Sequence, residues 1–499
     1  MSANPMSSRL DPDQSKAVEL RRNGAVSAGA GSGKTTVLAA RYLDLVLRDG
    51  ADVRSILVLT FTRKAAAEMY GRIHRELLAS GEPRALEQVD RFSEAQISTL
   101  DSFCSLVLRP EAQEYGYPPD FRVDDEECGR IARAQALSFL LERREDPALR
   151  EVFARLGFER AWKELFADAA ARLWTPSAAP DIPAMLRLQA DTAERTIRDQ
   201  AALIQEAARA AGEAGSGSPS AKAASVLDAF ATLPAGFEDL PTDMIAAALE
   251  LVVFFNLQGF GRSDAETRIK EAASAARDAA RRILKAREME KLAPLTGSVL
   301  DLLAELGERV RRAKRGARVM GFRDVAEAAV DLLSRRPGVR AGWKRRFRYI
   351  MIDEFQDDDE LQKDLLYLLA ERPDRTDPGV PEVRDLDPDK LFFVGDEKQS
   401  IYRFRGADVS VFRGLAEDLG AEGPALRTNY RSEPELVSFF NETFERVLGD
   451  AVEPWEARFA PILSRPAAPG GSPSIRYLLK PRRPAAEREG YRSDDEALA

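Results

Sequence analysis

The sequence predicts an α/β fold: an open sheet of parallel strands around a phosphate-holding loop, interrupted by a large helical insertion. Three observations predict it. Short apolar runs alternate with helical stretches up to about residue 110 and again from residue 347. A glycine-rich loop joins a β-type run to a helix. From about residue 120 to 345 the chain turns Ala-, Arg- and Glu-rich with helical spacing. Alternating strands and helices build parallel sheets covered by helices, and a helical block between two such regions makes the α/β part discontinuous in sequence.

The elements follow in order. Gly24–Ser27 is a short β-type run, and residues 36–43 after the loop have helical spacing. Ile56–Thr60 is an apolar run of buried-strand type, followed by a helical stretch at 64–78. Inside the helical block, a Gly-Ser-Pro patch at 212–220 predicts a loop. The strand pattern resumes at 347–352, with a helix at 359–370, a Pro/Asp-rich loop at 373–388 and a strand at 391–394. A helix at 434–448 and a possible strand at 474–479 precede a Pro/Arg/Asp-rich tail.

Composition bounds the function. At 499 residues the chain is long enough for two to four domains with real cores. Two cysteines, Cys104 and Cys128, are too few for a disulfide framework or an iron–sulfur cluster, and the sole histidine, His74, excludes histidine triads and most zinc sites. Residues 1–14 are polar and no run of about eighteen apolar residues occurs, so the expectation is a cytoplasmic protein with no membrane partner. The net charge of −9 does not suggest a nucleic-acid binder, yet thirteen Lys or Arg residues fall between Arg311 and Arg348. That stretch fits a phosphate-tracking surface or a solvated helix face equally.

Ala28-Gly29-Ala30-Gly31-Ser32-Gly33-Lys34-Thr35-Thr36 carries the first chemistry. A triphosphate is held by backbone N–H groups converging on a helix N-terminus, which needs a turn free of side chains. Lys34 has the reach to pair with the outer phosphates, and the Thr35 hydroxyl suits Mg²⁺. Ala28 stands where the usual pattern has glycine. The strand at 347–352 delivers Asp353-Glu354 at its C-terminal end, the edge where ligands gather in open α/β sheets. Asp353 suits Mg²⁺, and Glu354 suits a general base for an attacking water; the acidic run 357–360 also suits a helix start. Gln399, just beyond the strand at 391–394, is placed to sense a γ-phosphate, and Tyr402 and Phe404 offer faces for single-stranded bases or for a core.

Taken in order, the residues resemble superfamily 1 UvrD/Rep-like DNA helicases, and most the RecB/AddA branch that works in double-strand-break repair. The series runs Leu10-Asp11-Pro12-Asp13-Gln14, the phosphate loop, Leu59-Thr60-Phe61-Thr62-Arg63-Lys64-Ala65-Ala66-Ala67-Glu68-Met69 and Ile97-Ser98-Thr99-Leu100-Asp101-Ser102-Phe103-Cys104. It continues with Ile352-Asp353-Glu354-Phe355-Gln356-Asp357, residues 394–408, and Leu426-Arg427-Thr428-Asn429-Tyr430-Arg431-Ser432. The resemblance implies a RecA-like ATP-binding domain formed by residues 1–115 and 346–424. It further implies a helical insertion at 116–345 and the incomplete start of a second RecA-like domain at 425–499.

It also implies site roles. Gln14 reads the adenine edge, Tyr430 stacks on the base, and Arg431 reaches the γ-phosphate, while Lys34, Thr35, Asp353, Glu354 and Gln399 act as above on ATP and Mg²⁺. Phe61, Thr62, Ser102 and Phe404 touch single-stranded DNA. Two positions depart from a common family pattern: Asp101 stands in place of His, and Phe404 in place of Trp.

Residues 425–499 hold too little for a complete second RecA-like domain, which in this family supplies an arginine finger. Such a finger is worth about 10³–10⁵ in rate in related phosphoryl transfers. The expectation is an ATP-dependent 3′-to-5′ DNA helicase or translocase, present as its ATP-binding N-terminal portion. Its partners are single-stranded or duplex DNA and either a second helicase–nuclease subunit or a missing C-terminal half. The other reading is a truncated relative that uses nucleotide as a switch or scaffold. As this chain alone, weak ATP hydrolysis is expected.

Overall fold

A computed structural model describes residues 10–173, 181–215, 220–258, 260, 263–403, 407–419, 424–449 and 459–465. The expected strand at 474–479, Phe404 and residues 216–219 of the Gly-Ser-Pro patch lie outside these residues; 212–214, expected in a loop, instead continue the helix Ile182–Ala214, because a single glycine does not end a helix packed along its length. The chain divides into two compact units, Met1–Val107 with Ala329–Ala499, and Leu108–Ala328.

Nine strands occur among the described residues: β1 Gly24–Ser27, β2 Ile56–Thr60, β3 Gln96–Thr99, β4 Arg122–Val123, β5 Val319–Met320, β6 Tyr349–Asp353, β7 Leu391–Gly395, β8 Thr428–Asn429 and β9 Leu463–Ser464. In the first unit, five of them form a parallel sheet in the order β1-β7-β6-β2-β3. Every residue of β2, β6 and β7 is buried, as strands covered on both faces must be. Ser27 pairs with Gly395 and Val394 with Asp353, so three adjacent strands bring sequence-distant segments to one carboxyl edge.

β6 begins two residues later than the apolar run suggests. Phe347 is spent on packing, its ring 5.8 Å from that of Phe103 and stacked on Trp343 at 6.1 Å. Beneath the sheet, the helix Lys34–Leu47 buries ten consecutive positions from Val37 to Val46, including Arg41. That guanidinium lies 4.2 Å above the Phe392 ring and donates to the carbonyls of Val18 and Leu20 at 3.1 and 2.6 Å. Burial lowers its pKa to about 10. It thereby ties the end of the helix Pro12–Val18, which carries Gln14, to the core.

The basic stretch is neither a phosphate track nor a solvated face throughout. Arg340 and Lys344, on the helix Pro337–Arg346, are buried around the fully buried Glu371 at 2.9 and 2.8 Å, and Arg375 also pairs with it. In the second unit, Lys314 is buried against Asp324 at 2.8 Å. The burial cost of such cations is offset by pairing with these carboxylates together with further hydrogen bonds, Arg340 donating to the Leu333 and Gly379 carbonyls and Lys344 to those of Arg372 and Arg375.

The second unit is helical, with β4 and β5 as a short parallel pair. Its longest elements, Ile182–Ala214 and Asp264–Lys291, pack along alanine stripes. Ala193, Ala201, Ala207 and Ala211 recur at helical spacing on the first, and Ala272, Ala276, Ala279 and Ala280 on the second. Small side chains let two helix backbones approach closely.

Candidate nucleotide site

The phosphate loop follows β1 and opens the helix Lys34–Leu47. Gly31 and Gly33 have φ of 71° and 86°, the left-handed region that residues with a Cβ avoid. A Cβ on Gly33 would also fall 2.8 Å from Gln14 Nε2. Ala28 is not among the positive-φ residues; it is fully buried and its N–H donates to the Gly395 carbonyl at 2.8 Å. This explains the departure from the glycine pattern, since the first loop position needs a small side chain but no unusual backbone. Thr35 and Thr36 lie half-buried in the first helical turn, and Arg72 donates to Thr36 Oγ1 at 2.8 Å.

Gln14 reaches this loop. Asp11 and Gln14 form a reciprocal helix cap, and Gln14 Nε2 donates to the Ser32 carbonyl at 2.9 Å. On the other side, the 426–432 segment runs parallel to the loop. Leu426 N donates to the Ser27 carbonyl at 2.8 Å, Gly29 N to the Leu426 carbonyl at 3.0 Å, and Tyr430 N to the Gly31 carbonyl at 2.9 Å. The Tyr430 hydroxyl donates to Asp11 Oδ2 at 2.5 Å. Partial burial first, and then this bond, push its pKa up to about 12. Arg431 follows with its Cβ about as close to Gly31 as packing allows: a Cβ on the glycine would lie 3.0 Å away. Gln14, the loop, Tyr430 and Arg431 are therefore one assembly.

Lys34 forms an ion pair with Glu354, whose backbone is left-handed at φ 58°. Asp353, at the end of β6, is 7% exposed, and its Oδ1 has no hydrogen-bond partner among the described residues. Burial, and then the neighbouring Glu354, push its pKa up to about 7, with Lys34 opposing. The same two causes raise Asp357 to about 6. Gln399 donates from Nε2 to Asp396 Oδ2 at 2.7 Å, and Asp396 N donates to Gln356 Oε1 at 2.8 Å, which connects Gln399 to the Asp353-Glu354 segment.

The residues expected at DNA are only partly gathered. The Phe61 and Tyr402 rings lie 4.8 Å apart, tilted by 35°. Thr62 caps the helix Arg63–Ala79, accepting from Ala65 N at 3.1 Å, and the Ser102 hydroxyl shares a 2.8 Å bond with Thr99. Ser102 instead lines a shallow groove of about 400 Å³ with Arg63, Tyr70, Ser98 and Thr99.

Sequence reading missed Asn429 and Gln356, whose roles are hydrogen bonds to partners far away in the chain. Asn429 Nδ2 donates to the Ala30 carbonyl at 2.8 Å while its Oδ1 accepts from Arg431 N and Ser432 N. A buried Asn or Gln within a motif is the one available signal, because a buried amide must be hydrogen-bonded.

The chain is similar to bacterial proteins whose names describe them as one subunit of an ATP-dependent helicase/nuclease. The Syntrophomonas wolfei protein is 26% identical over 88% of this chain and 38% of its own length. The Geobacillus kaustophilus protein is 28% identical over 90% and 40%, and the Staphylococcus aureus protein 27% over 86% and 38%. The chain thus spans about two fifths of the relatives it matches. Residues 10–420, from the Gln14 segment through the carboxyl edge of β1, β7 and β6, match the family described as UvrD/REP helicase N-terminal domain. The chain belongs to the UvrD/REP helicase N-terminal domain family.

Proposed function

We propose that this chain is the ATP-binding portion of an ATP-dependent DNA helicase or translocase of double-strand-break repair and recombination, moving 3′ to 5′. The observation that carries this reading is the convergence of Lys34, Asp353 and Glu354 on one sheet edge, clamped to Gln14, Tyr430 and Arg431. The orphaned, buried Oδ1 of Asp353 suits a hydrated divalent cation, and Thr35 and Asp353 would hold Mg²⁺. When bound, that ion shields the triphosphate charge.

Lys34 exchanges Glu354 for the outer phosphates as nucleotide enters. Glu354, relieved of its cation, accepts a proton from the attacking water. The water oxygen bonds to the γ-phosphorus as the bond to the leaving ADP oxygen breaks with its electron pair. Gln399 and Arg431 sense the γ-phosphate, and Gln14 with Tyr430 holds the adenine. Phe61, Thr62, Ser102, Tyr402 and Phe404 form the DNA contact. That the relatives are named as one component of a larger enzyme points to a further component or a C-terminal continuation as the source of the remaining machinery.

The test is ATP turnover with and without single-stranded DNA, comparing the chain with Lys34→Ala. Slow turnover that DNA accelerates and Lys34→Ala abolishes supports the reading. Nucleotide binding with no turnover in either condition favours the switch or scaffold reading, and robust unwinding by this chain alone refutes the expected weakness.

A further inference from the structure

Gln356 is 1% exposed and uses every polar part of its side chain. Its Nε2 donates to Glu354 Oε2 at 2.9 Å and to Asp357 Oδ2 at 3.3 Å, while its Oε1 accepts from Asp396 N at 2.8 Å. Its backbone carbonyl accepts from Ser400 Oγ at 3.0 Å. An amide engaged at both ends has one rotamer and one flip state available to it. The fold also makes room for it: a Cβ on Gly395 would sit 2.8 Å from Gln356 Oε1, so the close approach requires glycine at the end of β7.

Glu354 needs such a support. Its left-handed backbone is uncommon for a residue with a Cβ, and its Oε2 is shared between Lys34 Nζ and Gln356 Nε2. Phosphate binding removes Lys34 from that oxygen. Among the described residues, the Gln356 amide is then the hydrogen-bond donor that remains on it. Both of its anchors, Asp396 N and Ser400 Oγ, lie in the segment that carries Gln399.

We propose that Gln356 is the positioning residue for Glu354, holding its carboxylate in a fixed orientation once Lys34 has moved to the phosphates. The inference rests on the reading of Glu354 as the general base. A positioning role predicts loss in the hydrolytic step with nucleotide binding kept, because Lys34 and the loop amides do not depend on Gln356.

The experiment uses the full chain with Mg²⁺, measuring single-turnover ATP hydrolysis and, separately, the affinity for a fluorescent ATP analogue. Gln356→Ala and the size-matched Gln356→Glu are expected to slow hydrolysis about 100-fold, the scale of a misplaced general base, with affinity within about threefold of the parent. Ser400→Ala, which removes only the bond to the backbone carbonyl, is expected to slow it about fivefold. Parental rates in folded Gln356 variants, or rate and affinity falling together, would overturn the proposal while leaving the ATPase reading intact. Should neither Gln356 variant fold, a parental rate in Ser400→Ala overturns it. Parent chain that binds no nucleotide, or binds it without turnover, overturns the ATPase reading and this inference with it.

Discussion

Asn429 and Ala30, 399 positions apart, are joined by a 2.8 Å hydrogen bond from the Asn429 amide to the Ala30 carbonyl. The same side chain accepts from the N–H groups of Arg431 and Ser432, so one buried amide fixes both the phosphate loop and the segment that presents Tyr430 and Arg431. Asn429→Asp keeps the acceptor and replaces the donor with a carboxylate oxygen facing a carbonyl. We expect a loss of about 1–3 kcal/mol in stability, the cost of a buried polar mismatch, and about tenfold weaker ATP binding. Chemical denaturation and nucleotide titration measure both; unchanged nucleotide affinity contradicts the clamp.

The Phe61–Tyr402 ring contact yields a second prediction. If these faces receive bases, Phe61→Ala weakens binding of a short oligothymidine by about 1–3 kcal/mol, the usual worth of one base–aromatic stack. Fluorescence anisotropy at two salt concentrations checks it. The loss should persist at the higher salt, since stacking, unlike phosphate contact, is weakly screened. A variant that binds as the parent does removes Phe61 from the DNA surface.

Glu371 is the common anion of Arg340, Lys344 and Arg375. Glu371→Ala leaves buried cations without it and should destabilise the first unit by about 3–5 kcal/mol. Urea unfolding followed by circular dichroism measures this. A cost below about 1 kcal/mol, typical of surface pairs, would show that the cluster is solvated in solution.

Asp358 supplies the pH prediction. Burial, and then Asp359, Asp357 and Asp101, hold its pKa well above the ordinary value. The folded chain therefore binds this proton more tightly than the unfolded chain, whose aspartates titrate near about 3.9. That contribution is fully present below the unfolded value and is lost as pH rises through the folded one. Asp358→Asn should raise the melting temperature at pH 8 by several degrees and by less at pH 5. An equal gain at both pH values, or none, refutes the assignment.

Sequence by itself determined what depends on neighbours along the chain. Apolar runs at 56–60 and 391–394 cannot be solvated and became the buried β2 and β7, and the acidic run at 357–360 became a reciprocal cap of Asp359 and Gln362. Glycines at 31 and 33 mark a turn that needs positive φ, and Lys34 after them opens the helix. The residue order also carried the family resemblance. Tertiary structure alone decided which side chains meet. Periodicity assigns a residue to a face of its own element, but a hydrogen bond or ion pair depends on the distance to another element. That distance follows from strand order and register. Hence Arg340 and Lys344, legible only as members of a basic stretch, proved to be buried partners of Glu371. Ala28, legible only as a lapse from the glycine pattern, proved to be a fully buried residue just beyond β1, and Gln356 and Asn429 gained their roles from partners 40 and 399 positions away.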